Sequence, residues 1–182
     1  MLPATNDDRY VSDPHDSRIP APPHGLAVRE RHAVRALMID PDERLLLLQG
    51  HDPARRELGH WWFTPGGGIE DSLRESPEEA LRRECWEELG VRPDRLSGPV
   101  AQRTHRFQFD GVWLIQHTDY YISCGPHFTP HAQQLTAMES RFLMGWKWWP
   151  LPELADTRET VYPDDVLDLI EAGGRHKADG RS

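Results

Sequence analysis

Cysteine is scarce in this chain. Only two cysteines, Cys85 and Cys124, occur among its 182 residues. Small secreted scaffolds that depend on disulfides carry several paired cysteines, so this class of protein is excluded. We therefore expect a reducing, cytoplasmic environment, in which both thiols are inert or belong to the core.

Long apolar runs are also missing. The run from Leu45 to Leu48 is among the longest, whereas a helix that spans a bilayer needs about 20 apolar residues. The first residues do not place a basic segment before an apolar stretch and a cleavage site, which is the pattern of a secretory signal. The sequence therefore predicts no membrane partner and a protein that stays in the cytoplasm.

Positive charge is in deficit, with 21 Lys and Arg against 30 Asp and Glu and a net charge of −9. A protein of this sign repels phosphate backbones, so binding to a nucleic-acid duplex is disfavoured. An anionic substrate would have to be accompanied by a cation. The content of 37% hydrophobic residues is typical of a globular domain with a packed core.

The chain divides into three parts by composition. Residues 1–27 are rich in proline and show no hydrophobic period, which predicts a flexible N-terminal arm. Residues 28–172 have the length of one domain, without repeats or a long linker. Residues 173–182 are polar and predict a frayed tail.

Alternating patterns predict strands on both sides of one central helix. Val34, Ala36 and Met38 alternate before a turn and the Leu45–Leu48 run, which predicts a hairpin. The Asp110-Gly111 pair predicts a second hairpin between strands at 100–109 and 112–123. A further strand is predicted at 143–149, and the spacing of apolar residues predicts a last helix at 163–172.

The central helix is predicted over residues 77–89. Ser76 is a capping residue, Pro77 suits the first helical position, and Gly90 is a natural stop. Spacings of three and four bring Glu84, Glu87 and Glu88 onto neighbouring positions of the helix surface. Three carboxylates this close repel one another, and a hard divalent cation such as Mg²⁺ offsets that repulsion. Taken alone, the helix is better interpreted as a solvated acidic face, because charge runs usually face water.

A run of three glycines precedes the helix. Gly66, Gly67 and Gly68 follow Pro65 and permit backbone conformations that side chains forbid. Their peptide groups can therefore approach a metal ion or a phosphate closely. A glycine loop by itself more often marks a simple tight turn.

The glycine run and the helix together resemble the Nudix box. Matching residues occupy the family positions from Glu75 through the helix to its end: Arg83, Glu84, Glu87, Glu88, Gly90 and Val91. The loop departs from the family pattern. Seven residues separate Gly67 from Glu75 where the family has five, and Arg74 stands where glycine is frequent. Looser similarity extends from about residue 31 to residue 170.

This resemblance implies an α/β fold, a Nudix-type α/β/α sandwich with a mixed β-sheet and a loop-helix-loop metal site. It implies that Glu84, Glu87 and Glu88 bind Mg²⁺, for which Mn²⁺ could substitute, with the Gly66 carbonyl as a further ligand. Arg83 would orient the carboxylates and Glu75 would support the loop.

The implied function is Mg²⁺-dependent hydrolysis of a diphosphate linkage in a small nucleoside diphosphate derivative. Metal-bound water would attack phosphorus in line while a carboxylate removes its proton. Besides Glu84, Glu87 and Arg83, we consider Glu139 as the general base, the alternative being an exposed loop acid.

The tryptophans and histidines offer weaker candidates for substrate contacts. Most tryptophans are better interpreted as core or sheet residues than as a stacking platform for a base. They are Trp61, Trp62, Trp146, Trp148 and Trp149. Histidines with the same open role are His105, His117, His127 and His131.

Three other functions compete with a hydrolase. A non-catalytic, nucleotide-binding regulatory module would keep the Nudix fold, but it has no need for three mutually repelling carboxylates. An isoprenoid diphosphate isomerase would need a cysteine context that neither Cys85 nor Cys124 matches. A purely structural acidic domain would not be stabilised by Mg²⁺. The sequence leaves the choice between a monomer and a homodimer open, and it does not identify the diphosphate.

Overall fold

The structure, a computed structural model, describes residues 22–179. Most of the predicted arm (1–27) and the last three residues lie outside this range. Seven strands run through the described chain: β1 (Ala27–Ile39), β2 (Arg44–His51), β3 (His60–Phe63), β4 (Ser97–Phe109), β5 (Val112–Cys124), β6 (Leu143–Pro150) and β7 (Val161–Tyr162). The helices are α1 (Pro77–Leu89), α2 (Glu139–Phe142), α3 (Leu151–Asp156) and α4 (Val166–Asp179).

All seven strands form one mixed sheet. Its order is β4-β5-β1-β2-β3-β7, and β6 pairs with β2. β1 runs parallel to β5 along its whole length, and β3 runs parallel to β7. The other pairs are antiparallel. The mixed sheet that the family resemblance implies is confirmed.

Helices cover both faces of the sheet. On one face, Leu81, Cys85 and Leu89 of α1 pack against alternate residues of β1, including Val34 and Ala36. On the other face, a second apolar cluster joins Leu37 to α3 and α4. The central strands are buried on both sides for this reason. The predicted α/β/α sandwich is confirmed.

Both predicted hairpins form. Asp110 and Gly111 take positive φ values of 45° and 77°, as the tight turn between β4 and β5 requires. In the turn between β1 and β2, the buried Asp40 carboxylate accepts hydrogen bonds from the backbone N–H groups of Asp42 and Arg44, both at 3.0 Å. Aspartate at the start of a turn commonly makes such bonds.

The last helix is longer than the sequence pattern predicts. The prediction that it ends at residue 172 is wrong, because α4 continues through Gly173 and Gly174 to Asp179. Gly173 is not a stop signal. It is buried where the helix crosses the sheet, beside Val100 and Ile122, and any larger side chain would collide with them. Within residues 22–179, no helix has both the length and the apolar character needed to cross a membrane.

Candidate functional site

Helix α1 is fixed at both ends by its own sequence. The Ser76 hydroxyl accepts a hydrogen bond from the Glu79 backbone N–H, and the Glu79 carboxylate accepts one from the Ser76 N–H at 2.8 Å. This reciprocal capping box satisfies two of the free N–H groups at the helix start. At the other end, Gly90 takes a left-handed φ of 76° and closes the last turn. The first and last residues of the helix are thereby set.

The glycine loop lies against the edge of β1. The backbone N–H groups of Val34 and Ala36 donate to the carbonyls of Gly67 and Pro65, both at 2.9 Å. Gly66 has a φ of 123°, and a methyl group on Gly67 would lie 2.5 Å from both carboxylate oxygens of Glu84. Glycine is required at both positions, for backbone conformation at the first and for space at the second.

Two acids of α1 and one acid of α2 converge at this loop. Glu84, Glu88 and Glu139 each present an oxygen, and these three atoms lie within 4.8 Å of one another. Glu84 and Glu88 are one helical turn apart and buried, whereas Glu139 is half-buried. Glu139 also accepts a hydrogen bond from the Thr136 backbone N–H at 2.7 Å, which orients its carboxylate. We call Glu84, Glu88 and Glu139 the carboxylate cluster.

Burial makes this cluster electrostatically costly. Desolvation raises the pKa of Glu88 to about 8, against the opposing effects of Arg35 and the Gly66 backbone N–H. Desolvation also raises the pKa of Glu84, opposed mainly by Arg83. Buried carboxylates that lack sufficient positive charge favour either protonation or a bound cation. Three converging oxygens of this kind suit Mg²⁺ or Mn²⁺.

Glu87 lies beside the cluster and not within that close group. Its carboxylate accepts a hydrogen bond from Arg83 Nη1 at 3.3 Å, and the same nitrogen donates to Glu84 at 2.8 Å. Glu87 is therefore tied to Glu84 through one guanidinium. Its negative charge also contributes to the raised pKa of Glu84.

Arg83 connects the helix to the loop. It donates to both oxygens of Glu75, at 3.0 and 2.7 Å, and to the carbonyl of Gly68 at 3.0 Å. This bidentate contact is the main cause that lowers the pKa of Glu75. Glu75 in turn accepts a hydrogen bond from the Glu70 backbone N–H at 2.9 Å. Both residues hold the glycine loop and the helix in one arrangement.

The longer loop has a simple local structure. Residues Asp71–Leu73 form one 3-10 turn, and Arg74 then takes a left-handed φ of 51°. Arg74 thus adopts the conformation that glycine adopts most easily. The inserted residues are absorbed in the turn, and Glu75 still reaches Arg83.

The histidine and tryptophan candidates separate by location. His105 contacts the Tyr120 hydroxyl at 3.1 Å, and desolvation lowers its pKa to about 4. The other three histidines bind near neighbours on more exposed surfaces: His117 with Glu30, His127 with Asp40 and His131 with Gln133. Trp62, Trp148 and Trp149 are core residues, whereas Trp146 is exposed and Trp61 is half-buried.

Sequence reasoning missed two arginines of β1. Arg31 and Arg35 project from the same face of the strand, because strand side chains alternate. Arg31 donates to Gln116 at 2.8 Å, and Arg35 donates to the carbonyl of Thr64 at 3.0 Å. The available signal was two arginines, four positions apart, within one strand, the second of them between the buried residues Val34 and Ala36. Such side chains need specific partners.

Comparison with known proteins gives a consistent result. Residues 29–169 match the sequence model of the NUDIX domain. A MutT-like protein of Streptomyces ambofaciens is 28% identical over 169 residues, which cover 92% of this chain and 90% of that protein. An RNA pyrophosphohydrolase of Shewanella woodyi is 49% identical over 122 residues, which cover 60% of this chain and 69% of that protein.

A similar fold occurs among solved structures. The NUDIX domain of Shewanella oneidensis NrtR, crystallised with ADP ribose, superimposes with a TM-score of 0.56 at 21% sequence identity. The superposition covers 82% of this chain and 89% of that domain. At this level of identity the comparison establishes the fold alone.

Proposed function

We propose, from the premise that this chain belongs to the NUDIX domain family, that it is a Mg²⁺-dependent hydrolase of a nucleoside diphosphate-linked compound. The family and its pyrophosphohydrolase relatives establish a hydrolase that acts on pyrophosphate bonds. The metal dependence and the substrate class are the parts that we propose. The carboxylate cluster at the glycine loop is the observation that carries the metal dependence.

The residues present fit a divalent cation. Glu84 and Glu88 supply two buried convergent oxygens, with an oxygen of Glu139 within 4.8 Å of both, and the Gly66 carbonyl, which accepts a hydrogen bond from Arg35, would be a further ligand from the loop to which Glu88 is bonded. Glu87, linked to Glu84 through Arg83, would be a further ligand. All these donors are oxygen atoms, which are the ligands that Mg²⁺ and Mn²⁺ prefer.

The bound cation would polarise phosphoryl oxygens and lower the pKa of an attacking water. The chain's own residues would do the rest. Arg83 would hold Glu84 and Glu87 in place. Glu139, the most exposed acid of the cluster, would not bind the cation itself but would accept the proton from water. The new bond forms between the water oxygen and phosphorus, and the bond from phosphorus to the bridging oxygen breaks. The linkage is thereby divided into two phosphate-containing products.

The site also offers positive charge to an anionic substrate. Arg31 is held by Gln116 on the sheet face, and Glu84 is close enough to influence its pKa. Burial is the main cause that lowers the pKa of Arg31, to about 10, so the guanidinium remains charged at neutral pH. An arginine in this position would contact phosphate oxygens beyond the metal.

The test is Mg²⁺-dependent turnover of a substrate panel, followed by chromatography of the products. The panel contains nucleoside triphosphates, dinucleoside polyphosphates, nucleotide sugars, ADP-ribose and RNA with a 5′-terminal diphosphate linkage. We compare the wild type with Glu84→Gln, Glu87→Gln and Glu139→Gln. Glu78→Gln is the matched control, because Glu78 lies on α1, exposed and paired with Arg82.

Turnover that requires metal, and that falls by orders of magnitude in Glu84→Gln, Glu87→Gln and Glu139→Gln but not in the control, supports the proposal and identifies the substrate. Turnover that persists in EDTA, or in Glu84→Gln, contradicts it. Tight binding of one panel compound without any turnover would favour the regulatory module instead.

A further inference from the structure

Arg35 occupies a central place in the site without belonging to the carboxylate cluster. Its Nη1 donates hydrogen bonds to the carbonyls of both Thr64 and Gly66. Its guanidinium carbon lies 5.7 Å from the centroid of the Phe63 ring. One cation therefore holds two carbonyls that flank Pro65, at the start of the glycine loop.

The same loop is tied to the cluster from its other side. The Gly66 backbone N–H donates to Glu88 at 2.9 Å. Gly66 thus accepts from Arg35 through its carbonyl and donates to Glu88 through its amide. The positive charge of Arg35 also stabilises the ionised form of Glu88, against the desolvation that raises the Glu88 pKa. Arg35 therefore supplies part of the positive charge that a divalent cation would supply at this place.

A divalent cation at the Gly66 carbonyl and the Arg35 guanidinium would repel each other. Both are positive and would share one oxygen, inside a site where charges are weakly screened. The bound cation would therefore take over the carbonyl, and Arg35 would lose this contact.

We infer that Arg35 is a positioning residue that stands in for the metal ion, holding the glycine loop in its metal-binding conformation while the site has no metal. The inference rests on the proposed metal site. Its physical advantage is preorganisation, because a loop that is already ordered loses less conformational entropy when the cation binds.

Amide hydrogen exchange measures directly how firmly the glycine loop is held, and it does not depend on enzymatic turnover. The reporters are the backbone amides of Gly66, bonded to Glu88, and Ile69, bonded to the carbonyl of His32 at 3.0 Å. Exchange is measured in EDTA and in saturating Mg²⁺ for the wild type, Arg35→Met and the control Arg29→Met. Arg29 is an exposed arginine of the same strand.

In the wild type, both amides should exchange at similar rates with and without Mg²⁺. In Arg35→Met they should exchange at least about tenfold faster in EDTA, equivalent to about 1.4 kcal/mol of easier opening. Mg²⁺ should restore the wild-type rate, because the bound cation then holds the loop that Arg35 no longer holds. Arg29→Met should match the wild type throughout.

Two results would overturn the inference. One is exchange in Arg35→Met that matches the wild type in EDTA, and the other is fast exchange that Mg²⁺ does not slow. If Arg35→Met does not fold, Arg35→Lys carries the same test, since the lysine head cannot hold both carbonyls with the planar geometry of a guanidinium. Failure of the metal site itself would appear separately, as a wild type that binds no Mn²⁺ in a direct titration.

Discussion

The Glu88 carboxylate accepts a hydrogen bond from the backbone N–H of Gly66 at 2.9 Å, so a fully buried acid is bonded to the loop that it faces. This contact joins the most desolvated charge of the site to its most constrained loop. It also makes the protonation of Glu88 a property that stability measurements can detect.

Stability of the metal-free protein should fall as pH rises between 6.5 and 8. Burial raises the pKa of Glu88 to about 8 in the folded protein, so the folded state binds more protons than the unfolded state in this range. The stabilisation that comes from protonated Glu88 is complete at low pH and is lost as pH approaches 8. The free energy of unfolding should therefore fall by at most about 1.4 kcal/mol per pH unit. Urea unfolding in EDTA measures this slope.

Glu88→Gln is the comparison for that experiment. Glutamine keeps an acceptor for the Gly66 N–H but does not ionise, so the slope between pH 6.5 and 8 should become shallower. The depressed pKa of His105, about 4, acts below this window. An unchanged slope in Glu88→Gln would show that another group carries the pH dependence.

Gly67→Ala should weaken metal binding. The new methyl group would lie 2.5 Å from both carboxylate oxygens of Glu84, so the carboxylate has to leave its place in the cluster. Gly68→Ala is the matched control, because its nearest contact would be the His32 carbonyl at 3.9 Å. A Mn²⁺ titration should show at least about tenfold weaker binding in Gly67→Ala. Equal affinities in the two variants would disprove the space requirement.

Arg74→Gly should stabilise the fold by about 0.5 kcal/mol. A left-handed residue other than glycine costs about 1–2 kcal/mol, and the greater entropy of glycine in the unfolded chain offsets part of that gain. Ser72→Gly, in the preceding turn, should give no such gain. The test is to compare the denaturant midpoints of both variants with that of the wild type. A loss of stability in Arg74→Gly would show that the left-handed conformation of Arg74 is not strained.

The two neighbouring glycines of α4 should respond in opposite directions. An alanine methyl at Gly173 would meet the packed Val100 and Ile122 side chains, whereas one at Gly174 would meet no atom within 4 Å. Gly173→Ala should destabilise by about 1–2 kcal/mol through overpacking, and Gly174→Ala should stabilise by about 0.5–1 kcal/mol through helix propensity. Thermal unfolding of the two variants and the wild type measures both changes in stability. Equal shifts would mean that α4 does not pack closely at Gly173.

Local signals in the sequence predicted much of this structure. The capping residues of α1, the Asp110-Gly111 turn and the alternation around Val34 each act over a few residues, and each element formed as predicted. The motif also singled out Glu75 and Arg83, but their bidentate contact is visible only in the structure. Where local chemistry decides the conformation, the sequence was sufficient.

Features that depend on distant contacts were missed. In the sequence, Gly173 resembles a residue that ends a helix. Its buried contact with Ile122 arises only when α4 packs on the sheet. Arg35 is separated by 31 positions from the Gly66 carbonyl that it binds, and no local pattern announces that pairing. Glu139 was considered as a base from the sequence, but its distance from Glu84 and Glu88 depends on how α2 returns to the loop.

The parallel pairing of β1 with β5 has a consequence for the order of folding. Arg31 and Gln116, which meet across it, are 85 positions apart, so this pairing requires the closure of a long loop. Helix α1 can form early from its own capping contacts, but Glu139 joins it only after the distant strands have paired. We therefore expect the chain to acquire its affinity for divalent cations at the end of folding, which would make cation binding a reporter of the completed native state.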